Sequence, residues 1–131
     1  MRWTNKGDLK MCINKSYDCK NCPNQIHNVD PLKVKEVAKA AVNIQVNGED
    51  IKRAYGCGRV YVSFLKLRKT SKQAKALESV GFNITRRPHS TQYHIYVGYD
   101  NATGRQLAYG KKLAKHFNDN DICCYCDGDD D

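Results

Sequence analysis

The sequence predicts an α+β fold whose second half runs β-α-β-β-α-β, and three observations carry that prediction. Three stretches rich in β-branched and aromatic residues read as strands: RVYVSFL from Arg59, FNITRR from Phe82 and YHIYVGY from Tyr93. Two stretches with apolar residues at helical spacing, TSKQAKALESVG from Thr70 and TGRQLAYGKKLAKHF from Thr103, fall between and after them. The run DICCYC from Asp121 supplies a last strand. This order is that of a ferredoxin-like split βαβ sandwich, with both helices on one sheet face and the other face open.

Three parts follow. Residues 1–58 form an N-terminal extension, with a knuckle-like cysteine segment and a helix; residues 59–126 form the ferredoxin-like domain; residues 127–131 form an acidic tail. In the extension, DPLKVKEVAKAAVN offers Asp30 as N-cap, Pro31 at the first helical position and an apolar stripe of Val34, Val37, Ala38 and Ala41. IQVNGEDIKRAYGCG fits a short strand and turn or a helical turn equally well. The extension is expected to pack onto the later fold.

Along the domain, strand alternation points Val60, Val62 and Phe64 inward and leaves Tyr61, Ser63 and Leu65 on the open face. Thr70 and Gln73 make a capping box for the first domain helix, whose inner side is Ala74, Leu77 and Val80, with Gly81 as its stop. In the strand from Tyr93, Tyr93, Ile95 and Val97 point inward and His94, Tyr96 and Gly98 outward. Thr103 and Gln106 repeat the capping box for a helix that turns Leu107, Gly110, Leu113, Ala114 and Phe117 to the sheet. Gly110 there allows a close approach of helix to sheet. In the last strand Ile122, Cys124 and Cys126 share the buried face, where cysteine behaves as a small hydrophobe. Cys123 and Cys126 copy a Cys-x2-Cys spacing, but residues three apart on a strand point to opposite faces and do not chelate together.

Composition narrows the function classes. No window approaches the eighteen apolar residues a membrane span needs, and MRWTNKGDLK lacks the apolar core of a signal peptide. Seven cysteines is an odd number, which suits thiols or metal-bound thiolates in a reducing, cytoplasmic compartment. The formal net charge of +8 is unevenly spread: residues 59–120 hold twelve Lys and Arg against three acids, while residues 121–131 hold five acids and no base. So basic a middle implies a polyanionic partner, either nucleic acid or an acidic or nucleic-acid-binding protein surface. The plain reading of the same charge is solubility alone.

The predicted chain path sorts these charges. Lys66, Arg68, Lys69, Lys72, Arg86 and Arg87 fall at one end of the sheet, forming a basic rim, with Lys112 and Lys115 nearby as solvated helix lysines. The acidic tail leaves from the opposite end. On the open face Tyr61, His94 and Tyr96 cluster, with Tyr125 beside them, and flat exposed rings stack on unpaired bases. Cover by the N-terminal helix is the plain reading of the same rings.

The stretch VYVSFL resembles the first-strand signature of the RNA recognition motif, with Phe64 where that family has Asn. YVGY resembles the second half of its third-strand signature, with His94 where the family has an aromatic ring and without the basic-Gly opening. The likeness spans about seventy residues and implies a base-stacking role for Tyr61.

Catalytic groups are sparse. The basic domain has only Glu78, Asp100 and Asp119 as acids, and the sequence assembles no clustered carboxylates for a two-metal centre, so no enzyme is expected. Asp100 and Asn101 precede a helix N-terminus, which serves for capping or for holding an anion. Cys12, Cys19, Cys22 and His27 stand at Cys-x6-Cys-x2-Cys-x4-His spacing, with a polar Pro-Asn turn after Cys22, and suit a zinc knuckle. Cys57 is the alternative fourth ligand, and reduced thiols in a loop are the plain reading.

Two functions follow. The first is a non-enzymatic nucleic-acid-binding protein for single strands, using Tyr61, His94, Tyr96 and the rim. The second is a small protein-binding inhibitor or adaptor of the mobile-element, anti-CRISPR-like kind, which blocks a nucleoprotein complex.

Overall fold

The computed structural model describes residues 2–4, 22–51, 57–86, 92–101 and 104–130. Its elements are strand β1 (Arg2–Thr4), helix α1 (Pro31–Ala40), β2 (Cys57–Ser63), α2 (Lys72–Val80), β3 (Ile84–Arg86), β4 (Tyr93–Asn101), α3 (Arg105–Asp119) and β5 (Tyr125–Asp130). The protein is α+β. The five strands form one sheet in the order β1-β5-β2-β4-β3, with every neighbouring pair antiparallel. No helix among the described residues is long and apolar enough to cross a membrane.

Helices α2 and α3 share one core with the sheet. Val60, Val62, Phe64, Ile95, Cys124 and Cys126 meet Ala74 and Leu77 of α2 and Leu113, Ala114 and Phe117 of α3, all buried. Helix α1 packs against α2 and α3 and does not reach the opposite sheet face. It starts as its sequence dictates, with the Asp30 carboxylate accepting from Leu32 N at 2.9 Å and Pro31 in the first turn. Its stripe of Val34, Val37, Ala38 and Ala41 enters the common core. Two further bonds fasten the layer: Lys112 Nζ donates to Gln45 O at 2.7 Å, and His116 Nε2 lies 2.7 Å from Val37 O.

Both domain helices start differently from the capping boxes in the sequence. Ser71, one residue after Thr70, caps α2 by accepting from Ala74 N at 3.1 Å. Gln73 instead donates to Val29 O at 2.8 Å, tying α2 to the segment before α1. Gly81 ends α2 at φ +113°, where a side chain is strained, as its sequence position indicates. At α3 the N-cap is Gly104 at φ +80°, with no capping side chain of its own; Thr103 lies outside the described residues. The cap comes from Asp100, as described below. Gly110 meets its expectation: a Cβ there would sit 2.8 Å from Cys126 Sγ and 2.9 Å from Val60 Cγ1.

Two strands depart from simple alternation. Tyr61 pairs with Tyr96, yet Val60 pairs with Gly98, so β4 carries a bulge at Val97. The extra residue turns Gly98 to the helix side, where a Cβ would lie 3.0 Å from Gln106 Oε1, and not outward as alternation alone requires. It also turns Asp100 inward.

The second departure corrects the acidic tail. Residues 127–130 belong to β5, which pairs with β2 from Ser63↔Tyr125 to Gly58↔Asp130 and with β1 from Thr4↔Asp127 to Arg2↔Asp129. The physical reason is ladder length. β2 has seven residues, and ICCYC alone leaves most of it unpaired on that side. Backbone hydrogen bonds are indifferent to side-chain charge, so the ladder runs on through DGDD. The extension of residues 1–58 is likewise integrated, since β1 lies at the sheet edge and α1 in the helix layer.

Candidate functional site

The sheet face away from the helices gathers the predicted rings. Tyr61 lies 5.9 Å from His94 and 5.5 Å from Tyr96, ring centroid to centroid, in edge-on and tilted arrangements. This follows from the register, with Tyr61 opposite Tyr96 and Ser63 opposite His94 on adjacent central strands. The cluster is closed, however: Tyr61 is 2 % exposed and His94 3 %, and Ser63 and Asp127 on the same face are fully buried. Tyr61 and His94 are therefore not an open stacking platform. Tyr96 and Tyr125 keep part of their surface in solvent. The cover is not α1, which sits on the other side of the sheet. Asp127 lies beside Tyr61 in register, with its Oδ1 accepting from Gly128 N at 2.8 Å.

The basic residues gather at the Ser63 end of the sheet. After β2 the chain turns through Lys66, at φ +63°, and buries Leu67. Leu67 O accepts from Tyr93 N at 3.4 Å, bringing the turn to the start of β4. Arg68 O accepts from both Ser71 N at 3.0 Å and Ser71 Oγ at 2.6 Å, fixing the turn against the start of α2. Arg86, the last residue of β3, pairs with Tyr93 at the same end. Lys66, Arg68, Lys72 and Arg86 are exposed and hold no ion pair among the described residues. Lys75, exposed one turn after Lys72, extends the rim; its i,i+3 spacing is the sequence signal for it. Arg87 lies outside the described residues.

Lys69 has a different role from the rest of the rim. Its Nζ donates to Glu78 Oε2 at 3.1 Å and to Ile84 O at 3.0 Å, stapling the turn to α2 and β3. The exposed ion pair contributes little stability, but it engages Lys69 with groups of its own chain. Lys115 pairs with Asp119 at 2.7 Å along α3.

The three carboxylates of the basic domain lie apart, each with a structural task. Glu78 holds Lys69 and Asp119 holds Lys115. Asp100, fully buried, accepts from Gly104 N at 2.9 Å through Oδ1 and from Leu107 N at 3.1 Å through Oδ2. Its carboxylate thus occupies the N-terminal amides of α3 that an external anion would need. Asp100→Ala strips one buried and one partly buried amide of their acceptor and is expected to cost about 1–3 kcal/mol, read from the urea midpoint. Asp100→Asn, which keeps an acceptor oxygen, is expected to cost less.

The cysteines divide in two. Cys124 and Cys126 enter the main core as expected, with Cys124 beside Asn118, whose Nδ2 donates to Cys124 O at 2.8 Å. Cys123 turns away and packs with Cys22 and Leu65 in a second buried cluster. Of the predicted metal set, Cys12 and Cys19 lie outside the described residues, Cys22 is buried and His27 stands exposed on the turn Ile26–Asn28. Among the described residues no three His, Cys, Asp or Glu side chains gather as a metal site.

A cavity of about 270 Å³ opens between the α2–β3 turn and α3, lined by Val42, Val80, Phe82, Val97, Tyr109 and Leu113 among others. Burial raises the Tyr109 phenol above its ordinary 10.0. Comparison with protein-family models, with curated proteins and with solved structures finds no match.

Proposed function

We propose that this chain is a ferredoxin-like, non-enzymatic protein that binds nucleic acid through its phosphates, using the basic end of the sheet. The strand order β5-β2-β4-β3, with a helix after β2 and another after β4, supports the fold assignment. The observation that carries the binding reading is the rim itself. Lys66, Arg68, Lys72 and Arg86 stand exposed at one end of the sheet, within residues 59–120, which hold twelve basic and three acidic residues; of those acids Glu78 pairs with Lys69, Asp119 with Lys115, and Asp100 caps α3. Stacking is confined to rings that keep some exposure, chiefly Tyr96, so phosphate contact outweighs base contact. Such a partner fits a cytoplasmic setting.

The neutralised variant Arg68→Gln/Lys72→Gln/Arg86→Gln is expected to bind a single-stranded oligonucleotide at least about tenfold more weakly at low salt. Fluorescence anisotropy measures this, and unchanged affinity would remove the reading.

The second reading, an inhibitor or adaptor docking on a nucleic-acid-binding protein, is favoured by one observation. Val42 is 75 % exposed at the mouth of the 270 Å³ cavity, and Leu32 is 72 % exposed on α1. A pull-down with and without nuclease separates the two. Loss of the captured partner on nuclease treatment supports nucleic-acid binding, and a stoichiometric, nuclease-resistant protein supports the second reading.

A further inference from the structure

We propose that the cavity between the α2–β3 turn and α3 is a binding site for a small, uncharged aromatic molecule that carries one hydroxyl or amide group. The inference stands apart from the nucleic-acid reading, because the cavity lies at the Val80 end of α2 and the rim at its Lys72 end.

The backbone makes the space. Gly81 N donates to Glu78 O at 3.0 Å and Phe82 N to Leu77 O at 3.2 Å, and Gly81 at φ +113° ends the helix. Phe82 is thereby turned back onto the core, where its ring meets Phe117 at 6.3 Å. β3 has only three residues, and its pairing with β4 begins at Ile84↔Ile95. Val97, the bulge residue of β4, lies beyond this pairing and borders the cavity. Tyr109 and Leu113, one turn apart on α3, form the other wall.

The lining selects the guest. An apolar cavity of about 150 Å³ takes up benzene, so one of about 270 Å³ has room for about two fused rings. Val80, Phe82, Val97 and Leu113 give it a mainly apolar wall, which holds water poorly. Phe82 and Tyr109 both border the space without a ring contact to each other, which leaves their rings to pack on a flat guest. Of the polar residues around it, Asn83 and Tyr109 make no side-chain hydrogen bond among the described residues. Burial raises the Tyr109 phenol above its ordinary 10.0, so it stays a proton donor through the neutral range. No Lys, Arg, His, Asp or Glu borders the space among the described residues, although the chain has 22 Lys and Arg and 14 Asp and Glu. A charged guest would therefore enter unpaired, at a far higher cost than an uncharged one.

The test uses the full chain, freed of nucleic acid, with 2-naphthol as the probe at neutral pH and methyl chemical shifts as the readout. Saturable shifts at the Val80, Val97 and Leu113 methyls are expected, with a Kd below about 1 mM. The charged analogue 2-naphthoate is expected to bind there at least about tenfold more weakly. Tyr109→Phe is expected to weaken 2-naphthol by about three- to tenfold, the loss of one hydrogen bond. Val80→Phe, which fills the space, is expected to weaken it at least about tenfold. Should Val80→Phe fail to fold, Tyr109→Phe, which keeps the packed ring, decides the matter. Absence of saturable shifts at these methyls up to about 5 mM probe, equal binding of 2-naphthoate at them, or unchanged affinity in Tyr109→Phe overturns the proposal.

Discussion

Ending the chain after Cys126 is expected to abolish cooperative unfolding, although the five residues removed, DGDDD, have the composition of a solvated tail. Four of them, Asp127 to Asp130, are most of the six-residue strand β5. That strand lies between β1 and β2 in the sheet, so its loss detaches β1 and leaves the edge of β2 from Gly58 to Tyr61 unpaired. The truncation also removes Asp127, which is fully buried beside the tyrosine cluster. Each buried amide or carbonyl left without a partner costs about 1–3 kcal/mol, and the edge exposes several against a total stability of about 5–15 kcal/mol. Circular dichroism during thermal unfolding is the measurement. A truncated chain that melts with the wild-type midpoint would mean that these residues contribute no strand.

Phe117→Ala is expected to destabilise the protein by about 3–5 kcal/mol, the range for removing a fully buried phenylalanine. The ring is 0 % exposed and meets Phe64 edge-on at 5.3 Å and Phe82 at 6.3 Å. It therefore joins α3 to the end of β2 and to the turn after α2. Such aromatic pairs add about 0.5–1.5 kcal/mol each beyond their buried area. Phe117→Leu, which keeps most of the volume, is expected to cost less. A urea midpoint shift with unchanged slope reads both, and a Phe117→Ala cost under about 1 kcal/mol would show that the three elements do not converge on this ring.

Periodicity makes most of the core legible in the sequence. The inward sets Val60, Val62, Phe64 and Leu113, Ala114, Phe117, the stripe on α1 and the close approach at Gly110 each follow from spacing alone, because burial repeats with the geometry of the element. Three features are hidden from such spacing. The bulge at Val97 leaves no periodic mark, so simple alternation sets Gly98 on the wrong face. The strand character of DGDD is masked because ladder bonds use backbone, while composition reports only side chains. Alternation places Tyr61, His94 and Tyr96 together but does not say whether a face is covered, and Tyr61 and His94 are buried. At the rim, spacing locates Lys66, Arg68, Lys72 and Arg86 at one end, but the engagement of Lys69 with Glu78 and Ile84 depends on contacts across nine and fifteen residues. The meeting of Cys22 with Cys123 in one cluster spans about three quarters of the chain and has no local signature.

The rim's role is tested most directly by titrating single-strand binding against salt, for the wild type and for Arg68→Gln/Lys72→Gln/Arg86→Gln. Four phosphate contacts predict a slope of log affinity on log salt near −3, or about a 50-fold loss between 50 and 200 mM, and three fewer contacts flatten it to about −1. A wild-type slope near zero, or the same slope in both proteins, would contradict a phosphate-binding rim.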